Sequence, residues 1–137
     1  MEHVENAQAL TRIFDCWPSF HDGELLEVHL NTAGTGAPSL AARFHLFEYT
    51  PDVDDSGHYI LKNHTEAELE FTEVRLHDLR DFREGNIVLS LDIEPIDPDL
   101  NEGRLLKVTI APSYGCAAEF DCRKIVVRSV VPHAPAA

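Results

Sequence analysis

Two titratable side chains, His21 and Asp22, lie where a helical pattern changes to a strand pattern, directly after Trp17-Pro18-Ser19-Phe20. With Ser19 they supply the residue types of a hydrolase triad. In an extended chain, however, neighbouring side chains point to opposite sides, and the sequence has no G-x-S-x-G nucleophile motif. We therefore interpret this segment as a hydrogen-bonded corner that leads from a helix into a strand.

Metal binding is the second chemistry that the residue types allow, because the chain holds 8 histidines. The spacings of the common motifs HExxH and CxxC are absent from the sequence. A site could only be assembled from several strands, for example from His21, Asp22, His45 and His64. We retain a small metal-dependent hydrolase with a site near His21 and Asp22 as the alternative function, but we expect no cofactor and no tightly bound transition metal.

A row of acidic residues has the clearest geometry in the sequence. Five polar residues share one face of a predicted strand and alternate with apolar ones: His64, Glu66, Glu68, Glu70 and Thr72. Carboxylates spaced in this way lie about 7 Å apart and repel in water by about 0.6 kcal/mol, a cost that folding can absorb. We favour a solvated outer face. The functional alternative is a surface that receives Lys or Arg, either from Arg43 on a neighbouring strand or from a partner protein.

The composition indicates one folded, soluble domain. A chain of 137 residues is long enough to bury about two-thirds of its unfolded surface and too short for two comfortable domains. We predict a domain over residues 1–132 and a disordered tail over residues 133–137. The 24 acidic and 11 basic residues give a formal charge of −13, which repels nucleic acid and fits a basic protein partner.

Cysteine usage and the N-terminal residues bear on the compartment. The 3 cysteines cannot form a closed disulfide framework, and the N-terminus has neither the basic segment nor the apolar run of a signal peptide. No apolar stretch approaches the roughly 20 residues that cross a bilayer. We expect a cytoplasmic protein without membrane association. The sequence does not specify the oligomeric state.

The hydrophobic pattern predicts the secondary structure. Apolar residues recur at helical spacing before Trp17-Pro18 blocks continuation: Ala7, Leu10, Ile13 and Phe14. This pattern indicates a helix of about three to four turns. We expect Leu10, Ile13 and Phe14 to pack on the sheet face that contains Leu26, Phe44 and Phe71.

Alternating apolar residues then predict inward-facing sets on successive strands: Leu26, Val28 and Leu30; Leu40, Ala42, Phe44 and Leu46; Ala67, Leu69 and Phe71; Ile87, Leu89, Leu91 and Ile93; Leu106, Val108 and Ile110. In the last run the parity changes near Arg123, which predicts a bulge or a change of pairing. Residues 50–57 and 78–86 are interpreted as irregular. The pattern predicts an α+β domain in which one N-terminal helix packs on a mainly antiparallel sheet of about six strands.

Several segments resemble the bacterial family called immunity protein 50. They are W-P-S-F-H-D-G-E at 17–24, H-L-F-E at 45–48, L-K-N-H-T at 61–65, P-S-Y-G at 112–115 and F-D-C at 120–122. The resemblance runs over most of the chain, roughly from Leu10 to Pro132. Members of that family are regarded as immunity proteins of polymorphic toxin systems, so the resemblance implies neutralisation of a toxin by binding. It supplies no catalytic residues, and we expect Trp17, Phe20 and Tyr114 to serve core or turn packing.

The sequence thus predicts a protein-binding immunity protein, and not an enzyme, that occludes a cognate bacterial toxin. An acidic sheet face would steer the association if that toxin is basic. The predicted partner-binding residues are Glu66, Glu68, Glu70, His64, His45, His21 and Asp22.

Overall fold

The computed structural model describes residues 2–96 and 105–134. Within these ranges one helix and nine strands are present, and the strands form a single sheet. The elements in chain order are β1 (Val4–Glu5), α1 (Gln8–Phe14), β2 (Glu24–Asn31), β3 (Ser39–Val53), β4 (Tyr59–Thr72), β5 (Arg75–Arg80), β6 (Asn86–Pro95), β7 (Leu106–Tyr114), β8 (Ala117–Cys122) and β9 (Lys124–Pro132). Across the sheet the order is β1-β9-β4-β3-β2-β6-β7-β8-β5.

The predicted architecture of a helix on a mainly antiparallel sheet is confirmed in outline, but the strand number was underestimated. Every pairing among the described strands is antiparallel except that of β1 with β9. The strand β5 was not predicted, and its residues 78–80 fall in the segment 78–86 that was interpreted as irregular. It lies at the edge of the sheet and is mostly exposed, so it lacks the alternation of a half-buried strand.

The helix α1 is shorter than predicted because Val4 and Glu5 pair with β9 instead of joining the helix. Leu10 and Phe14 are buried, and Ile13 packs against the core, as expected. The expected partner Leu26 was wrong, since Leu25 is the buried residue there. No helix in the described ranges has the length and apolar character to cross a membrane.

The sheet curls so that its two ends approach each other. Glu73 and Val74 alone join β4 to β5, and Arg123 alone joins β8 to β9, although the members of each pair lie far apart in the sheet order. One layer, β9-β4-β3-β2, therefore faces the other, β6-β7-β8-β5. The rings of Phe71 and Phe120, one from each layer, meet edge to face with centroids 4.9 Å apart. The hydrophobic core lies between the layers.

The alternation predicts some strands correctly and fails on others. The sets Leu40–Leu46, Ala67–Phe71 and Leu106–Ile110 are buried as predicted. Leu30 and Leu89, however, are exposed. The bulge in β6 places Leu89 outside, and the bulge in β2 makes Leu25 the buried residue in place of Leu26. Leu30 directly opposes the buried Leu40, but it lies beyond the pairing of β2 with β6, and no described strand lies on that side of it. The predicted change near Arg123 is confirmed as a change of pairing, from β7 and β5 to β4 and β1.

The hairpin of β3 and β4 extends beyond the rest of the sheet. Residues 50–57 were predicted as a loop, but β3 continues to Val53 and only a short turn follows. In that turn Asp54 Oδ1 accepts hydrogen bonds from the backbone N–H groups of Ser56 and His58. Residues 51–60 are all exposed, so the end of this hairpin forms a projecting ribbon.

The two layers join at a narrow seam. Only two residue pairs connect β2 to β6, Glu24 with Ile87 and Leu25 with Asn86. The buried Asn86 reinforces this seam with its side chain. Its Nδ2 donates to Leu25 O at 3.3 Å, and its Oδ1 accepts from the backbone N–H groups of Arg83 at 2.9 Å and Cys116 at 3.0 Å.

Candidate functional site

Strand register places the candidate residues on the outer face of the sheet. Glu66 on β4 opposes His45 on β3, which opposes Glu24 on β2. Directly opposed residues point to the same face, and the residues next to His45 and Glu66 along their strands are buried. The row continues across the seam through Ile87 to Tyr114.

The three glutamates of β4 point outward as predicted, but two of them are engaged within the chain. Glu66 receives hydrogen bonds from Arg43 and from His133, whose Nδ1 lies 2.9 Å from Glu66 Oε2. Glu70 accepts from Arg128 at 2.8 Å. Glu68 has no ion pair within residues 2–96 and 105–134. The acidic row therefore receives basic side chains mainly from its own neighbouring strands.

Arg43 organises the centre of this face. Its guanidinium bonds Glu66 on one side and Glu27 of β2 on the other, with Arg43 Nε 3.1 Å from Glu27 Oε2. These hydrogen bonds lower the pKa of Glu27 and raise that of Arg43. For Glu66, burial alone would raise the pKa, but the bonds from Arg43 and His133 outweigh it and the net pKa is lowered. The face is thus a fixed charge network.

Three imidazoles form a histidine cluster, defined as His45, His64 and His133. The rings of His45 and His133 stack with centroids 3.7 Å apart and an interplanar angle of 11°. His45 Nε2 lies 2.9 Å from His64 Nδ1. Burial, followed by the neighbouring His133 and His64, lowers the pKa of His45.

The sequence did not identify His133 as part of this cluster, because it follows Pro132 in the segment assigned to a tail. In the structure its backbone N–H donates to His64 O at 3.0 Å. Residues 135–137 of the predicted tail lie outside the described residues.

The histidine cluster does not have the geometry of a metal site. Stacked rings hold their nitrogen lone pairs in parallel planes, so His45 and His133 cannot converge on one ion at about 2.0–2.1 Å. No group of three or more His, Cys, Asp or Glu side chains in the described part of the chain is arranged to hold a metal. The set of His21, Asp22, His45 and His64 that the sequence allowed is not assembled.

The corner at His21 and Asp22 is hydrogen-bonded as predicted. Asp22 N donates to Val88 O at 2.9 Å, and Val88 N donates to Gly23 O at 2.8 Å. Asp22 accepts from the hydroxyl of Tyr49, while His21 Nδ1 lies 3.1 Å from Leu89 O. The corner is therefore tied to both layers of the sheet.

The side chains at this corner are not arranged as a catalytic triad. Ser19 Oγ accepts a hydrogen bond from the backbone N–H of His21 at 3.2 Å, and the His21 ring contacts a backbone carbonyl. The nearest approach of the His21 ring to the Asp22 carboxylate is 3.5 Å. Burial raises the pKa of the Cys116 thiol, and burial raises that of Cys122 to about 12, so neither is an activated nucleophile.

Exposed aromatic residues connect the histidine cluster to the corner. We define Phe47, Tyr49 and Tyr59 as the aromatic ridge. The Phe47 ring lies 5.7 Å from the rings of His45, His64 and Tyr49, and Tyr49 lies 6.1 Å from Tyr59. Tyr49 is 52% exposed and Tyr59 61% exposed. These residues were not predicted from the sequence, although the alternation at positions 45, 47 and 49 places Phe47 and Tyr49 on the same face as His45.

Other aromatic residues divide between core and surface. Phe20 is buried with its ring edge-on to Phe44 at 5.0 Å, and Trp17 packs against the core, as expected. Tyr114 is 54% exposed, with the Arg83 guanidinium 5.5 Å from its ring centroid. Tyr114 therefore does not lie in the core, and of the expected core or turn packing only turn packing, at the end of β7 before Gly115, applies to it.

A cleft opens beside the aromatic ridge. It has a volume of about 440 Å³ and lies between the chain from Phe14 to His21 and the β3 residues Phe47 to Tyr49. Phe14, Pro18 and Phe47 line it with apolar surface, and Asp15 and Glu48 add carboxylates. The volume is within the range of about 300–1,000 Å³ typical of ligand pockets.

The described residues define a single-sheet α+β protein with a polar and aromatic outer face suited to binding. The family model for immunity protein 50 matches residues 6–133, nearly the whole chain, and the chain belongs to this family. The resemblance stated from the sequence is thereby confirmed. No curated protein and no solved structure shows significant similarity to the chain.

Proposed function

We propose that the protein neutralises a cognate bacterial toxin by binding and occluding it, without catalysis, in the cytoplasm. The observation that carries the proposal is membership of the immunity protein 50 family over residues 6–133. An immunity protein requires a toxin as its partner. The finer statements, which concern the binding surface and the mechanism, are supported by the geometry of the outer face.

The proposed contact surface is the aromatic ridge together with the histidine cluster. Large exposed apolar side chains beside polar groups mark interaction sites, and tyrosines are enriched among the residues that dominate binding energy. Tyr49 and Tyr59 stand next to each other near the base of the projecting ribbon. This surface includes the predicted partner residues His45 and His64, adjoins Asp22 through its bond with Tyr49, and adds residues that the sequence did not identify.

Preorganisation supports the same surface. Asp22 holds the hydroxyl of Tyr49, and Arg43 holds Glu66 beside the stacked ring of His133. Side chains that are already fixed lose less conformational entropy when a partner binds. The outer face can therefore act as a rigid template.

Charge supports a role in association rate. The protein carries a formal charge of −13, and such a field accelerates encounter with a basic partner. Since Glu66 and Glu70 are engaged by Arg43 and Arg128, the exposed carboxylates of the ribbon and Glu68 are the ones that we propose contribute to steering. Of the predicted acidic row Glu68 is retained for steering, and the carboxylates of the ribbon are added to it.

The experiment is a binding and rescue assay with a candidate toxin taken from the genes adjacent to this one. Tyr49→Ala and Tyr59→Ala should each weaken the complex by roughly tenfold or more in calorimetry, since truncated hot-spot residues cost about 2 kcal/mol. Leu30→Ala is the control, because Leu30 is 54% exposed and lies at the far end of β2. Failure of the unaltered protein to bind the toxin or protect cells from it would refute the proposed function.

A further inference from the structure

We infer that the cleft between the chain from Phe14 to His21 and the β3 residues Phe47 to Tyr49 receives an arginine side chain of a partner protein. The inference adds a specific contact to the proposed function. It rests on that function only because it assumes that the partner protein is the toxin. It follows from three features of the cleft: its apolar lining, its carboxylates and the way its walls are fixed.

The apolar lining suits the aliphatic part of a long side chain. Phe14 is 6% exposed and belongs to the core, Pro18 is buried, and Phe47 is half-buried on the aromatic ridge. Arginine and lysine bury their hydrocarbon stems on such surfaces while the charged head reaches a polar rim. A leucine or phenylalanine would fill the same volume but leave the carboxylates of the cleft without a partner.

The carboxylates provide the matching charge. Asp15 is exposed and makes no ion pair within the described residues, so its charge is available to a ligand. Glu48 is partly engaged, with Lys62 Nζ 3.4 Å from its Oε2. Asp15 is therefore the principal anionic contact that we assign to the cleft.

Arginine fits better than lysine because the cleft also presents aromatic rings. Phe47 and Tyr49 both line the cleft, with their rings 5.7 Å apart at 80° to each other. A guanidinium can stack on an aromatic ring and still bond a carboxylate in its plane, whereas an ammonium is a strongly hydrated point charge. Arginine is also enriched among hot-spot residues of protein interfaces.

The walls are fixed before any ligand arrives. Asp15 ends α1 in the left-handed conformation with φ of 65°, and Asn63 Nδ2 donates to Ile13 O at 3.5 Å. On the opposite wall Asp22 holds the Tyr49 hydroxyl. A preformed cleft has a measurable affinity even for a small probe, because little conformational freedom is lost on binding.

The test titrates the full chain with N-acetyl-arginine methylamide and follows the backbone amide signals by NMR. The matched probes are the citrulline, lysine and leucine analogues, of which citrulline keeps the shape of arginine without its charge. We expect saturable shifts for residues 14–21 and 47–49, and an affinity about fivefold higher for arginine than for citrulline, as one exposed charge contact provides.

Variants locate the contact. Asp15→Asn should lower the affinity for the arginine probe about fivefold, to that of the citrulline probe. The fold should persist because Asn tolerates the left-handed conformation as well as Asp does. Glu94→Gln removes the same charge from an exposed residue near the far end of β6 and should leave the affinity unchanged.

Equal affinity for arginine and citrulline, tighter binding of leucine, or shifts confined to other residues would overturn the assignment. Failure of the proposed function is separable from this. If the toxin is neutralised while Asp15→Asn leaves its affinity intact and the arginine probe does not bind, the cleft assignment fails and the function stands. If the arginine probe binds as expected and no toxin is neutralised, the function fails and the cleft assignment stands.

Discussion

Removal of the Asn86 side chain tests whether the narrow seam between the two layers depends on it. Asn86 is 3% exposed, and its side chain makes three hydrogen bonds with backbone groups of Leu25, Arg83 and Cys116. Asn86→Ala leaves all three groups without that partner. The bonds to Leu25 O and Cys116 N are buried, so water cannot readily replace them, whereas Arg83 N is partly exposed.

The magnitude follows from these three partners. A buried backbone group that loses its partner costs about 1–3 kcal/mol, and a partly exposed one costs about 0.5–1 kcal/mol because water compensates. Two buried groups near the low end of that range and one partly exposed group give about 3 kcal/mol. A domain with a typical stability of about 5–15 kcal/mol would still fold. Urea denaturation should therefore show a lower midpoint with an unchanged slope.

Asn86→Asp provides the matched control. A neutral aspartic acid keeps an acceptor for the two N–H groups and a hydroxyl donor for Leu25 O, whereas the charged form places an anion against that carbonyl oxygen. Burial raises the folded-state pKa of such a carboxyl above its unfolded-state value. The Asn86→Asp protein is therefore most stable below the unfolded-state pKa, and it loses stability as the pH rises through the folded-state pKa. The deficit relative to the unaltered protein should thus shrink from pH 7 to pH 4. A loss below about 1 kcal/mol for Asn86→Ala, or a deficit of Asn86→Asp independent of pH, would refute the reasoning.

Three further predictions concern stability and are measured by urea unfolding. Gly115→Ala should lower the free energy of unfolding by about 2–3 kcal/mol, because Gly115 has φ of 86° and an added Cβ would lie 2.5 Å from Asn86 Oδ1. An unchanged free energy of unfolding would contradict this. Glu66→Gln should lower the free energy of unfolding by about 1 kcal/mol after allowance for solvent screening, because Glu66 bonds Arg43 and His133. Glu68→Gln should lower it by less than about 0.5 kcal/mol. Equal effects of the two variants would show that the bonds to Glu66 contribute nothing to stability. Because the folded-state pKa of His45 is lowered, the free energy of unfolding should fall as the pH drops below about 6.5 toward that folded-state pKa. His45→Gln should reduce this fall. If the free energy of unfolding changes with pH equally in both proteins above pH 5, the prediction is contradicted.

The sequence predicted the centre of the sheet well because alternation is unambiguous where one face is fully buried. Leu40 to Leu46 and Ala67 to Phe71 pair with each other along most of their length, so both strands carry the same signal. The edge strand β5 has no such face, and β1 is only two residues long. Neither strand could be recognised from periodicity.

The sequence pointed to several residues of the candidate site, but it did not predict which of them contact each other. The outward-facing positions of His45, His64 and Glu66 follow from strand alternation, which fixes the face of each residue, whereas their role in partner binding stays a prediction. His133 joins them through a bond to Glu66 that spans 67 positions in the chain, and Tyr49 reaches Asp22 across 27 positions. Such contacts depend on strand order and register, which no local pattern specifies.

Some of the register shifts lie at the surface that we propose is functional. The extra residue is Leu26 in β2 and Leu89 in β6, and opposite Phe47 two β4 residues, Asn63 and His64, face one residue of β3. These positions flank the corner of His21 and Asp22 or the cleft beside Phe47. A bulge bends its strand and re-aims a side chain. In β4 the bulge accompanies the contacts of Asn63 with Ile13 O and of His64 with His45 and Phe47. The side chains of the proposed surface therefore depend on local departures from regular pairing, which alternation along a single strand does not predict.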